Sequence, residues 1–184
     1  YHGLRYTEAF GEAAYITKAR VQLMRDMGTC QTPMGAFLLD LGLQTLPLRI
    51  RQHSKNALTV AEYLEQQPDV EFINYPRLAS DKYHALAEKY LPEGTAGVIS
   101  FSIKGGRDRA AKFIDSLKLV SLEVHVADIH SCILHPATAT HRQLTDEQLV
   151  ACGITPGLVR LSVGLENVED ILDDIKQAFA AIAE

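Results

Sequence analysis

The sequence predicts an open α/β fold: a largely antiparallel sheet of four or five strands with helices on one side, preceded by a helical segment. Leu158 to Val163 alternates as a strand does, with Val159, Leu161 and Val163 on one face and Leu158, Arg160 and Ser162 on the other. An apolar stripe of helical period follows at once, at Val168, Ile171, Leu172, Ile175, Phe179 and Ile182, so a strand with an apolar back feeds a helix able to cover it. The strand candidates lie too far apart for tight hairpins, so helices must connect them and pack on the sheet.

Taken in order, residues 6–27 read as helical, with few breakers after Gly11 and apolar positions at Ile16, Leu23, Met24 and Met27. Gly28 supplies a stop. Thr32-Pro33 opens a second helix through Phe37, Leu38 and Leu41, with proline tolerated in the first turn. Residues 45–66 carry the longest periodic stretch, with Leu46, Ile50, His53, Ala57, Val60, Ala61 and Leu64 on one side. Beyond it, strands and helices alternate. Strands are expected at 70–74, 98–103, 131–135 and 158–163, and helices at 83–90, 108–116, 146–151 and 167–183. In the second strand Ile99, Phe101 and Ile103 share a face. Asn167 is the expected cap of the last helix, with Glu169 and Asp170 in its first turn. The expected division is a helical segment at 1–44 and an α/β domain at 45–184.

The composition sets limits on function. With 184 residues, 47% hydrophobic and 22% charged, the chain can bury one core of ordinary size. A formal charge of −5 argues against nucleic acid or an anionic membrane as a main partner. Cys30, Cys132 and Cys152 are few, odd in number and widely spaced, which suits reduced thiols in the cytoplasm. The start at Tyr1 rather than Met hints at a piece of a longer chain.

Several residues suggest chemistry. Arg160, on the less apolar face of its strand, needs an anion. The residues alone fit an internal ion pair or an exposed arginine as well as a ligand clamp. His125, His130, His135 and His141 crowd one region, but their spacing matches no compact metal-ligand motif. Lys104-Gly105-Gly106-Arg107 could cradle an anion, although a plain strand-to-helix turn explains the glycines. Ser162 lacks the glycine-flanked elbow of a hydrolase nucleophile.

Longer stretches carry a resemblance. Arg160-Leu161-Ser162-Val163-Gly164-Leu165-Glu166, preceded by His135-Pro136-Ala137-Thr138-Ala139-Thr140-His141, resembles the C-terminal part of the Cys/Met-metabolism family of pyridoxal-phosphate enzymes. Arg25-Asp26-Met27-Gly28, Leu41 to Leu46, and Asn56-Ala57-Leu58 through Ala61 are similar to that family in the same order. The opening, Tyr1 to Leu4, Phe10-Gly11 and Ala19-Arg20-Val21, most resembles its O-acetylhomoserine sulfhydrylase branch. The fold implied is the small domain of an aspartate-aminotransferase-like, fold type I enzyme.

The resemblance implies that Arg160 clamps the substrate α-carboxylate, that Ser131 contributes to the same pocket, and that Thr140 belongs to its wall. A guanidinium fork meets a planar carboxylate with two parallel charge-assisted hydrogen bonds. One stretch departs from the branch: in His125-Val126-Ala127-Asp128-Ile129-His130-Ser131, His125 stands where asparagine is expected and His130 where lysine is. The implied cofactor is pyridoxal phosphate. Its lysine, the acid facing its ring nitrogen and its phosphate donors lie upstream in the family, so no catalytic or cofactor-binding residue is expected here, and none of the eight lysines stands in a matching context. The implied partners are O-acetyl-L-homoserine, sulfide or a thiol, the rest of the parent chain, and further copies in a homo-oligomer such as a homotetramer. Rival readings are a cystathionine γ-synthase or methionine γ-lyase, a non-catalytic binding module, and an oligomerisation domain with Arg160 in an internal ion pair.

Overall fold

The computed structural model describes residues 2–183. The chain divides into two compact units, Tyr1–Thr45 and Leu46–Glu184.

In the first unit, helix α1 spans residues 6–27 but is irregular. It is α-helical over Tyr6–Phe10, tightens to 3-10 geometry over Gly11–Ala13, and resumes over Ala14–Lys18. It then widens to π geometry over Ala19–Met24 before Arg25–Met27 closes it. Gly28 ends it in the left-handed region, at φ 65°, with its N–H donating to the Met24 carbonyl at 2.8 Å. Helix α2, Pro33–Gln44, starts at Thr32, whose hydroxyl accepts from the Gly35 N–H at 3.1 Å. No residue of α2 is buried, and Met34, Phe37, Leu38, Leu39, Leu41 and Leu43 are all exposed.

The second unit contains helix α3 (Leu46–Glu65), β1 (Val70–Asn74), α4 (His84–Tyr90), β2 (Val98–Ile103), α5 (Gly106–Ser116), β3 (Ser121–Leu122), β4 (Cys132–Leu134), α6 (Asp146–Ala151), β5 (Leu158–Ser162) and α7 (Val168–Ala181). The five strands form one sheet in the order β1-β2-β5-β4-β3, antiparallel except for the parallel pair β3/β4. Helices α3, α5 and α7 cover one face. Ala57, Val60, Ala61 and Leu64 of α3, Phe113 of α5 and Ile175 and Phe179 of α7 join Ile99, Phe101, Ile103, Val159 and Leu161 in a single core. Phe113 stands edge-on to Phe101 at 6.2 Å and tilts against Phe179 at 4.6 Å, contacts worth about 0.5–1.5 kcal/mol each beyond the area they bury.

The opposite face is polar and is ordered by register. Asn74, Ser100, Arg160 and Leu134 form one row across β1, β2, β5 and β4, and Val98, Ser162, Cys132 and Ser121 form another. Three features differ from expectation. Strand β3 is absent from the sequence reading, because two residues are too short to show alternation. Leu46 and Ile50, expected on the buried side of α3, are exposed, so burial on that helix begins with His53. Ser131 and His135 lie just outside β4, where their side chains make bonds of their own.

Candidate functional site

Arg160 sits in the middle of β5, between Ser100 of β2 and Leu134 of β4. Strand parity turns it away from the helices. Its guanidinium is half-buried, and Nη2 donates to the carbonyls of Val124 at 2.6 Å and His125 at 3.4 Å. Among the described residues no carboxylate forms an ion pair with it. Carbonyl dipoles aim the guanidinium without cancelling its charge, so the fork keeps its capacity for an anion.

Both carbonyls belong to the loop after β3, residues 123–130, which is tied down at several points. The Ala127 N–H donates to Ser162 Oγ at 2.9 Å, the Cys132 thiol donates to the His125 carbonyl at 3.3 Å, and the Leu165 N–H donates to the Ile129 carbonyl at 2.8 Å. Ala127 holds φ 63°, an unusual conformation for a residue with a Cβ. On the outside of the loop, His125 Nε2 lies 2.6 Å from Glu123 and 3.7 Å from Asp128, and His130 Nδ1 lies 3.0 Å from Asp128. Hydrogen bonds from the backbone N–H and the imidazole of His130 hold the Asp128 carboxyl below its ordinary range. Burial pushes the Cys132 thiol up, which keeps it protonated and unreactive.

Ser131 is placed differently. It is fully buried, and its hydroxyl donates to Glu166 Oε2 at 2.9 Å while accepting from the Gly164 N–H at 2.8 Å. The Ser131 N–H donates to Glu166 Oε1 at 2.6 Å. Register places Leu134 opposite Arg160, and Ser131 lies three residues before it, just ahead of β4, roughly 10 Å at ~3.3 Å per residue. Thr140 is exposed in the turns after His135, and its hydroxyl pairs with His141 Nδ1 at 2.9 Å. Arg160, Ser131 and Thr140 make no direct hydrogen bond with one another among the described residues. His135 anchors the turns, with Nδ1 3.0 Å from Thr138 Oγ1 and Nε2 2.8 Å from the Pro156 carbonyl. Burial lowers its pKa.

Several positioning residues escaped the sequence reading. Asn56 Nδ2 donates to the carbonyls of Gly164 at 3.0 Å and Glu166 at 2.9 Å, and His53 Nδ1 meets the Val163 carbonyl at 2.7 Å. Helix α3 thus holds the exit of the strand that bears Arg160. Glu166 closes the other side of the same turn through Ser131. Buried polar residues on the apolar stripe of α3 were the available signal, but their partners lie 108 to 110 positions away.

The chain's own lysines do not suit pyridoxal phosphate. All eight are exposed: Lys104 Nζ donates to the Pro68 carbonyl, Lys176 pairs with Asp173, and Lys82 and Lys89 lie over neighbouring tyrosine rings. A lysine bonded to the cofactor needs a buried place beside the substrate anchor. Among the described residues no group of three or more His, Cys, Asp or Glu is arranged to hold a metal ion, and no helix is long and apolar enough to cross a membrane.

The chain is 48% identical to an O-acetyl-L-homoserine sulfhydrylase of Leptospira meyeri over 99% of its own length, and 45% identical to a homocysteine synthase of Schizosaccharomyces pombe over 97%. It spans only 43% and 42% of those proteins. A crystal structure assigned as an O-acetylhomoserine (thiol)-lyase of Campylobacter jejuni, which carries a pyridoxyl-lysine phosphate, superposes with a TM-score of 0.85 at 40% identity, over 98% of this chain and 42% of that one. The matched part is its C-terminal portion, the small domain of a fold type I enzyme. The profile described as Cys/Met metabolism PLP-dependent enzyme matches residues 9–180, and with it the chain belongs to the Cys/Met-metabolism family of pyridoxal-phosphate-dependent enzymes.

Proposed function

We propose that this chain is the substrate-anchoring part of a pyridoxal-phosphate-dependent O-acetylhomoserine sulfhydrylase. The reaction is γ-replacement: acetate leaves O-acetyl-L-homoserine, and sulfide or a thiol takes its place to give homocysteine or its thioether. The observation that carries this reading is the state of Arg160, a guanidinium aimed by two carbonyls and paired with no carboxylate among the described residues. It clamps the substrate α-carboxylate and so fixes the amino acid relative to the cofactor. The loop at 123–130 holds that arginine in place, while Ser131, Glu166, Asn56 and His53 hold the strand end beneath it. Thr140 lies on the wall. The cofactor supplies an electron sink for the carbanion chemistry, and the exposure of all eight lysines supports the reading that the residue bonding it lies elsewhere in the parent protein. By itself the chain is inactive.

The test is a product assay on the full-length protein with O-acetyl-L-homoserine and sulfide. Homocysteine formation that needs both substrates supports the reading. A preference for cysteine as the incoming thiol indicates cystathionine synthesis instead, and methanethiol release from methionine indicates a lyase. Either outcome overturns the sulfhydrylase assignment.

A further inference from the structure

A cleft of about 260 Å³ opens beside α3, lined in part by Arg51, Ser54 and Lys55 of the helix, Arg77 of the turn after β1, and Glu93 to Thr95. None of its lining residues takes part in the contacts of Arg160.

Its charge is unusual for this chain. Arg51 and Lys55 stand four residues apart on one face of α3, where like charges repel and weaken a helix by a few tenths of a kcal/mol. Neither has an ion-pair partner among the described residues, and each is exposed at the cleft. Arg77 adds a third cation, paired at 2.7 Å with Glu88. Three cations against two carboxylates, Glu93 in the lining and Glu88 on Arg77, leave the cleft net positive in a chain of net charge −5.

The floor adds polar groups. The Ser54 hydroxyl is shut from solvent and has no partner of hydrogen-bonding geometry among the described residues, and the Thr95 hydroxyl, equally shut off, lies against the Tyr75 phenol. Gly94, at φ +136°, covers Ser54 so closely that a Cβ there would lie 2.8 Å from Ser54 Oγ. Glycine lets the loop pack this closely over Ser54. Tyr75 closes the base, with Oη donating to the Ala96 carbonyl at 3.0 Å.

We infer that the Arg51–Lys55–Arg77 cleft binds a small phosphate-bearing anion, its oxygens held by Arg51 and Lys55 with Arg77 beside them. The group is a phosphate dianion, free or carried on a small ester. A phosphate has enough oxygens to meet all of these donors at once, and the cleft is large enough for a phosphate and a short carbon chain.

Calorimetric titration of the protein with inorganic phosphate, and separately with glycerol 3-phosphate, tests this. Saturable binding of either probe is expected, weakened at least about tenfold by Arg51→Gln with Lys55→Gln, since each lost charge-assisted contact is worth roughly a factor of ten. Lys112→Gln should leave it unchanged. Tighter binding of the ester identifies an organic phosphate, and equal or weaker binding identifies free phosphate. The absence of saturable binding of both probes, or binding that the double substitution leaves within about twofold, overturns the inference. Circular dichroism on each variant confirms that the comparison is between folded proteins.

Discussion

The backbone N–H of Gly164 donates to the Ser131 hydroxyl at 2.8 Å, and that hydroxyl donates onward to Glu166 at 2.9 Å. This short relay joins the exit of β5, the strand that bears Arg160, to the entry of its neighbour β4. The turn has no spare room. A Cβ on Gly164 would lie 2.5 Å from both the Ile129 carbonyl oxygen and the Ser131 nitrogen, and would also collide with the Glu166 carboxylate.

Ser131→Ala should therefore destabilise the protein by about 1–3 kcal/mol, because it strands a buried N–H and removes a carboxylate's donor. Gly164→Ala should cost more, since backbone atoms rather than flexible side-chain ends must move. Urea denaturation of the two variants beside the parent checks the order. A Ser131→Ala protein as stable as its parent would show that the relay contributes nothing.

His135 gives a pH signature. Burial holds its imidazole below the ordinary value of 6.5, so the folded state favours the neutral ring. Between that lowered pKa and 6.5 the unfolded chain binds more protons than the folded one, and stability rises with pH. The contribution is fully present above pH 6.5 and is lost as pH falls through the folded pKa. His135→Gln should flatten this part of the stability profile. An unchanged slope in denaturation midpoints below pH 6.5 would assign the effect to other groups.

The elements most legible in the sequence were those with a repeating physical cause. Alternation revealed β2 and β5, and the stripe from Val168 to Ile182 revealed α7, because each repeats the choice between core and solvent several times. Thr32 was legible as the start of α2 because capping is local. Less visible were contacts that join distant positions. Asp174 sits in the middle of α7 and reads as one more polar residue, yet it is buried and accepts the N–H groups of Lys118, Leu119 and Val120 at 2.8 to 2.9 Å. Strand β3 depends on that anchored approach and on its parallel pairing with β4, not on a pattern of its own. In the candidate site, Arg160 stood out through its chemistry. The loop carbonyls that aim it are backbone atoms, which no residue type announces.

The exposed leucines of α2 predict association. Leu39 and Leu43 are one turn apart and more than half exposed, with Phe37, Leu38 and Leu41 around them. A helix so apolar is unsuited to water. The 184-residue chain should self-associate at micromolar concentration, and Leu39→Glu with Leu43→Glu should shift it toward the monomer. Light scattering across a dilution series reads the change. A parent chain that stays monomeric when concentrated would show that α2 is covered in another way.

Arg160 allows the most direct test of the proposed function. Arg160→Ala, made in the full-length protein, removes the proposed bidentate clamp, whose charge-assisted hydrogen bonds would each contribute about 1.5–3 kcal/mol. The expected loss in kcat/KM for O-acetyl-L-homoserine is on the order of a hundredfold or more. The same substitution also releases the carbonyls of Val124 and His125, so the loop at 123–130 should loosen and some stability should go with it. Arg160→Lys separates the two effects. An ammonium can reach a loop carbonyl and keep the loop in place, but it lacks the planar fork, so stability should largely return while catalysis recovers only in part. Folded fraction and kinetics are to be measured on one preparation of each variant. If Arg160→Ala keeps kcat/KM per folded molecule within about threefold of the parent, well under one tenfold step, then the arginine serves the loop alone and the carboxylate is held elsewhere.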